Sequence, residues 1–275
     1  MSDETFKNLR DLIYNLSGIY FTESKRYLLE GRIAKRVTAR NLKTFEDYIR
    51  FIQSPFGKQE LNYLYEAITI NETYFFRAEQ QFEALEKVLI PEILREKTTI
   101  TPMITFRVWS AASSTGEEAY TIAMIIKEKI QPQFPKVQFQ IVGSDINTKV
   151  IEAARKGIYK DYAIRNVPPL YLNKYFHKDG NLYVLDESIK SMVRFVQINL
   201  FDPLQVKTMS NCDVIFCANV LIYFDLPSKQ KVVQNLYDAL NKGGYLFIGY
   251  SESLHGVTQA FKLIHLSKAM AYKKE

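Results

Sequence analysis

The sequence predicts an α/β protein: a parallel sheet covered by helices, preceded by a small all-helical domain and carrying a short antiparallel insertion. Three observations lead there. From about residue 100, short apolar runs alternate with amphipathic stretches of helix length, the pattern of βαβ units. Residues 3–66 place apolar side chains at three- and four-residue steps and show no strand pattern. The composition, 47% hydrophobic and 24% charged with only 11 Gly and 9 Pro in 275 residues, is that of a folded chain and excludes disordered and collagen-like classes. A chain of this length buries roughly three quarters of its unfolded surface, so no disulfide or metal staple is needed.

The helical domain, residues 1–70, is read as four helices. Phe6, Leu9, Ile13 and Leu16 line the first, which Gly18 stops. The second runs through Gly31 to Arg40. Phe45, Tyr48, Ile49 and Ile52 mark the third, before Ser54-Pro55, and the fourth extends from Gln59 to about Thr69. The join between residues 70 and 100 also reads as helical. In the second domain, residues 71–275, strands are expected at 104–109, 139–143 (ending at Asp145), 213–217 and 245–249, with helices at 116–130, 147–157 and 227–240. Asn241-Lys-Gly-Gly reads as a turn. Residues 261–265 and 269–273 form a closing antiparallel hairpin. The stretch 161–198 breaks the rhythm with Pro168-Pro169, a Lys178-Asp-Gly-Asn turn and two strand-like runs, 182–185 and 193–196, so it is read as the antiparallel insertion.

Lys25, Arg26, Arg32, Lys35, Arg36, Arg40 and Lys43 face Glu30 alone within residues 25–43, so this stretch carries +6, equal to the net charge of the chain. At about 100° per residue, Arg32, Arg36, Arg40 and Lys43 share one quarter of a helix circumference. A solvated face is one reading; an acidic protein surface or nucleic acid is the other. Without interleaved aromatics, nucleic acid is the weaker partner. Cys212 and Cys217, with four residues between them, match neither a redox pair nor a zinc spacing and read as small core residues in a reducing compartment. His177, His255 and His265 have unrelated spacings, so no metal site is expected. The N-terminus lacks the pattern of a signal peptide and no apolar run approaches the ~20 residues of a membrane span, so a cytoplasmic protein without membrane insertion is expected.

Ligands of open α/β sheets bind beyond the carboxyl ends of the strands. The first strand delivers Ser110-Ala-Ala-Ser-Ser-Thr-Gly-Glu-Glu118, whose small residues let a ligand approach the backbone; the second delivers Asp145, suited to a ribose diol. Together they point to a nucleoside cofactor, a packed serine-capped turn being the bland alternative. GxxxxGK[ST] is absent, which argues against a P-loop enzyme. The loop also lacks GxGxxG, and two glutamates stand where a pyrophosphate would meet the helix N-terminus. Carboxylates there repel phosphate and suit a cation, favouring S-adenosylmethionine over a dinucleotide.

Asn71-Glu-Thr-Tyr-Phe-Phe-Arg77, Trp109-Ser-Ala-Ala-Ser-Ser-Thr-Gly-Glu-Glu118, Ser144-Asp145-Ile146 and Phe216-Cys-Ala-Asn-Val-Leu-Ile-Tyr-Phe-Asp225, in this order, resemble the chemotaxis receptor methyltransferases of the CheR family over essentially the full chain. The resemblance implies a class I methyltransferase-like (Rossmann-like) sheet and transfer of a methyl group from S-adenosylmethionine to glutamate side chains of chemoreceptors, leaving S-adenosylhomocysteine. It implies cofactor contacts from Asn71, Thr73, Arg77, Glu117, Asp145, Asn199, Leu200, Ala218 and Asn219, with Arg77 and Tyr223 at the reacting centre. Arg32, Arg36 and Arg40 would dock on the acidic cytoplasmic helical bundle of the receptor, and the enzyme would be a monomer. Where the family usually reads Phe-Cys-Arg-Asn, this chain has Ala218. Its turn at His177-Lys-Asp-Gly-Asn-Leu182 is short, which implies activity independent of a receptor C-terminal pentapeptide. Two other readings stay open: a methyltransferase of the same fold acting on RNA or a small acid, and a non-catalytic signalling adaptor.

Overall fold

The computed structural model describes residues 1–98 and 104–275. Four helices, Asp3–Ser17, Arg26–Ala39, Phe45–Gln53 and Glu60–Ile68, enclose a core of Phe6, Leu9, Ile13, Leu29, Ile33, Tyr48 and Leu64. Their ends follow local chemistry. Ser2 accepts from the Thr5 amide at the first N-terminus, and Thr44 and Asp47 form a reciprocal capping box at the third. Gly18, at φ +74°, ends the first helix where a Cβ would lie 2.5 Å from the Phe201 ring.

Among the described residues the second domain holds ten strands: β1 (Ile104–Ala111), β2 (Val137–Asp145), β3 (Ile158–Tyr159), β4 (Phe176–Asp179), β5 (Leu182–Leu185), β6 (Val193–Gln197), β7 (Cys212–Cys217), β8 (Leu240–Ile248), β9 (Phe261–Leu266) and β10 (Ala269–Lys274). Seven of them form one sheet in the order β6-β2-β1-β7-β8-β10-β9, parallel from β6 to β8 and antiparallel thereafter. The chain steps outward from β1 to β2 and β6, then returns to the other side of β1 with β7. The carboxyl ends of β1 and β7 therefore flank the crevice where such sheets bind ligands. Phe106, Val108, Trp109, Val214, Ile215, Phe216 and both cysteines are fully buried on the central strands, and neither cysteine is in a disulfide.

Three expectations are corrected. Residues 193–197 do not belong to the antiparallel insertion: β6 pairs in parallel with β2, from Ile141–Val193 to Asp145–Gln197. Buried Val193 and Phe195 alternate with outward residues on an edge strand as they would in a hairpin, so period alone does not choose between them. Phe195 is held by Gly143, where a Cβ would come within 2.4 Å of its ring. The antiparallel insertion is the smaller sheet β3-β5-β4. Residues 241–244 lie within β8 rather than in a free turn, with a register shift opposite Cys212 and Val214; the Asn241 amide donates to Asn211 O and Asp213 Oδ1 and holds them against the sheet. The helical reading of residues 70–100 holds only from Glu79: residues 71–77 are irregular, and residues 99 and 100 lie outside the described residues.

Candidate functional site

Beyond the carboxyl ends of β1, β2, β7 and β8 lies a cavity of about 320 Å³, the size of small-molecule sites. Ala112, Ser113 and Ser114 follow β1, Ala218 and Asn219 follow β7, and Gly249 and Tyr250 follow β8; Ser17, Ile19 and Thr69 of the helical domain close the other side. Ala112, Ser114 and Asn219 have positive φ (61°, 51° and 62°), a conformation that costs a non-glycine residue about 1–3 kcal/mol and is concentrated at ligand sites. Gly249 admits no side chain: a Cβ would meet Asn219 Nδ2 and Glu252 Oε2 at 2.8 Å.

Asp145 ends β2, and its two oxygens accept from the amides of Ser114 and Asn147, each at 3.0 Å. Burial pushes its carboxyl above the usual range, against these hydrogen bonds. The expected site residues Asn71, Thr73, Arg77, Asn199, Leu200, Ala218, Asn219 and Tyr223 all line the cavity with Asp145. Asn71 O accepts from Ser114 Oγ, and the Arg77 guanidinium donates to Glu72 O beside the Tyr74 ring. Asn199 is held by donating to Leu16 O, which ties the helical domain to the wall behind β6. Burial raises the Tyr223 phenol, and the nearby charges of Arg77 and Arg32 partly offset this. Phe75, also in the motif, is plain core, edge-on to Tyr159 and Phe176.

Glu118, rather than Glu117, reaches the cavity. Neighbouring helical side chains point about 100° apart, so only one of the pair can face it. Glu117 turns away and takes the Thr115 hydroxyl on both oxygens, whereas Glu118 takes Ser110 Oγ at 2.7 Å. Burial raises both carboxyls to about 7. A glutamate deep in a cavity and bonded to a serine suits a ligand that brings positive charge.

Arg36 and Arg40, expected to dock on an acidic partner, also meet an acidic residue of this chain. Arg36 makes a two-pronged ion pair with Glu60 at 2.8 and 3.0 Å, with Arg40 Nε 3.6 Å from the same carboxylate. Glu60 is 2% exposed and also accepts from Tyr48. Packing of Glu60–Ile68 against Arg26–Ala39 brings this acid onto the basic face, a tertiary pairing that helical spacing alone does not reveal. Arg32 donates to Ile68 O near the cavity mouth.

Residue-by-residue reading also missed Glu252 and Gln81. Glu252 Oε2 accepts from the amides of Asn219 and Gly249, and Oε1 from that of Ile222, so one carboxylate ties the end of β8 to the loop after β7. Its place just past a parallel strand was the available signal. Gln81 lies on the cavity wall with Oε1 buried and unpartnered, and Ser113 Oγ is in the same state. Among the described residues, no group of three or more His, Cys, Asp or Glu is disposed to hold a metal ion, and no helix is long and apolar enough to cross a membrane.

Residues 71–270 match the family model of the CheR methyltransferase S-adenosylmethionine-binding domain, and residues 4–69 that of the CheR all-alpha domain. The chain is 36% identical to chemotaxis protein methyltransferase 2 of Vibrio cholerae over 276 residues, covering 100% of this chain and 94% of that one. It is 34% identical to the chemotaxis protein methyltransferase of Borreliella burgdorferi, covering 93% and 90%, and 34% identical to that of Vibrio parahaemolyticus, covering 99% and 98%.

Proposed function

The chain belongs to the CheR methyltransferase family, and from that premise we propose that it methylates glutamate side chains of chemotaxis receptors, forming glutamyl methyl esters in the cytoplasm. The observation that carries this reading is one cavity lined by Asp145, Glu118, Arg77, Asn219 and Tyr223 at the carboxyl edge of the sheet. The donor set fits S-adenosylmethionine: Asp145 suits the ribose diol, and Glu118 suits the cationic amino-acid end. Leu200 and Ile146 offer apolar surface to the adenine, beside Asn199.

Bound S-adenosylmethionine supplies an electrophilic methyl group. The acceptor needs no general base, since a glutamate with a pKa of about 4.3 is ionised at neutral pH. The protein's task is then positioning in a site from which water is excluded. Arg77, exposed at the mouth, steers the incoming carboxylate. Tyr223, half-buried beside it, orients the donor end, and Glu252 holds the loop that carries Tyr223. Arg32 of the basic helix donates to Ile68 O on the cavity wall, so the acidic helical bundle of the receptor approaches from that side. Arg36 is engaged by Glu60, and Arg40, with 43% of its side chain exposed, joins Arg32 in facing that partner. The chain acts as a monomer.

Incubation with a chemoreceptor and methyl-labelled S-adenosylmethionine tests the proposal. Label on the receptor that mild base releases as methanol is expected. Base-stable label, label on RNA or a small acid, or cofactor binding without any transfer would each replace it.

A further inference from the structure

Two of the three buried side-chain polar atoms that lack a hydrogen-bond partner among the described residues, Gln81 Oε1 and Ser113 Oγ, belong to residues that line the cavity. A buried polar atom without a partner is uncommon in folded proteins and destabilising, so the two at the cavity call for an explanation. Gln81 is the more informative, because its orientation is determined. Its Nε2 donates to Ile248 O at 2.7 Å, and turning the amide over would set oxygen against oxygen. Oε1, an acceptor only, is what remains for a ligand, so the matching ligand atom is a donor.

Position identifies that donor. Asp145, at the end of β2, marks the ribose end of the cavity. Gln81 is anchored at the end of β8, on the far side of β1 and β7. With the ribose diol at Asp145, the amino-acid end of the cofactor extends toward β8, and its only strong donor is the α-ammonium. We infer that Gln81 Oε1 accepts a hydrogen bond from that ammonium and is a further cofactor-binding residue of the site. The inference rests on the cofactor reading above.

Calorimetry of the full chain with S-adenosylhomocysteine, and with its analogue lacking the α-amino group, tests it on wild type and Gln81→Leu. Loss of a hydrogen bond to a charged group predicts that Gln81→Leu weakens S-adenosylhomocysteine by about tenfold to a hundredfold. The deamino analogue should bind both proteins within about twofold, which also shows that the variant is folded. Equal weakening of both ligands, or weakening of neither, overturns the inference. If Gln81→Leu binds neither ligand, Gln81→Met, which keeps the length of the side chain, is judged by the same comparison, and loss of both ligands there overturns it too. Failure of the wild type to bind S-adenosylhomocysteine is a different result: it removes the cofactor reading itself.

Discussion

At the residue scale the cavity depends on carboxylates whose charge is not neutralised within the protein. Glu118 sits with a raised carboxyl of about 7, so near neutral pH a large fraction is protonated before ligand binds. A cationic ligand attracts only the ionised form. Affinity for S-adenosylhomocysteine should therefore rise as pH increases through about 7, and Glu118→Gln should flatten that rise; calorimetry at pH 6 and 8 checks both. The same shift acts on stability with the opposite sign. A glutamate that titrates at 4.5 unfolded and at about 7 folded binds more protons in the folded state across that window. The contribution of Glu117 and Glu118 to ligand-free stability is thus full below about 4.5 and lost as pH approaches 7. Denaturant midpoints should show Glu118→Gln gaining on wild type over this range. In the proposed mechanism Arg77 acts on the acceptor rather than the fold: it is exposed, donates to Glu72 O and lies against the Tyr74 face. Arg77→Ala should lower methyl transfer by about a hundredfold, with a smaller effect on cofactor affinity, as expected of a positioning charge. Unchanged turnover would remove Arg77 from the mechanism.

At the scale of elements, the basic face of the helical domain, read as a solvated surface or as a dock for an acidic partner, meets a buried acid of its own. Arg36, Arg40 and Tyr48 converge on Glu60, which is 2% exposed. Removing one partner of a buried pair strands the other in a poorly solvated place, a loss of about 3 kcal/mol or more. Arg36→Ala, which leaves Glu60 as the stranded charge, should therefore lower the melting temperature by roughly 6–12 °C, measurable by circular dichroism. A loss near zero would mean that Arg40 and Tyr48 suffice to hold the Glu60 carboxylate. The loops after β7 and β8 show the complementary case. Glu252 receives three backbone amides there, and the strained φ of Asn219 persists because that carboxylate and the close approach of Gly249 leave the loop no roomier alternative.

Across the whole molecule the site is shared between domains. Ser17, Ile19 and Thr69 come from the helical side. Tyr20 N donates to Tyr223 O, Ile19 bridges Phe224, and Asn199 donates to Leu16 O, so the wall bearing Tyr223 is braced from across the domain boundary. A ligand seated in that cavity holds both domains in place. At a concentration of 100 times its dissociation constant it adds about 2.7 kcal/mol, which should raise the melting temperature by roughly 5 °C. Near-ultraviolet signals from both domains should move together; a shift confined to one domain would show that the helical wall contributes nothing to binding.

How much of this was legible in the chain depends on whether a feature is local or long-range. Helix caps such as Thr44 and Gly18, the strand-and-loop rhythm, Asp145 at the end of its strand and the small residues after β1 are written in neighbouring positions, because backbone sterics and side-chain period act over a few residues. The four ordered motifs that carry the family likeness are of the same kind. Other features depend on residues far apart in sequence: the pairing of β6 with β2, the meeting of Glu60 with Arg36, the choice of Glu118 over its neighbour as the cavity carboxylate, and the unpartnered oxygen of Gln81. The sequence by itself determined the α/β class, most of the elements and most of the residues that line the cavity. The tertiary structure alone decided which charges face the ligand and which face each other, since Coulomb and hydrogen-bond partners are chosen by distance in space and not by distance along the chain.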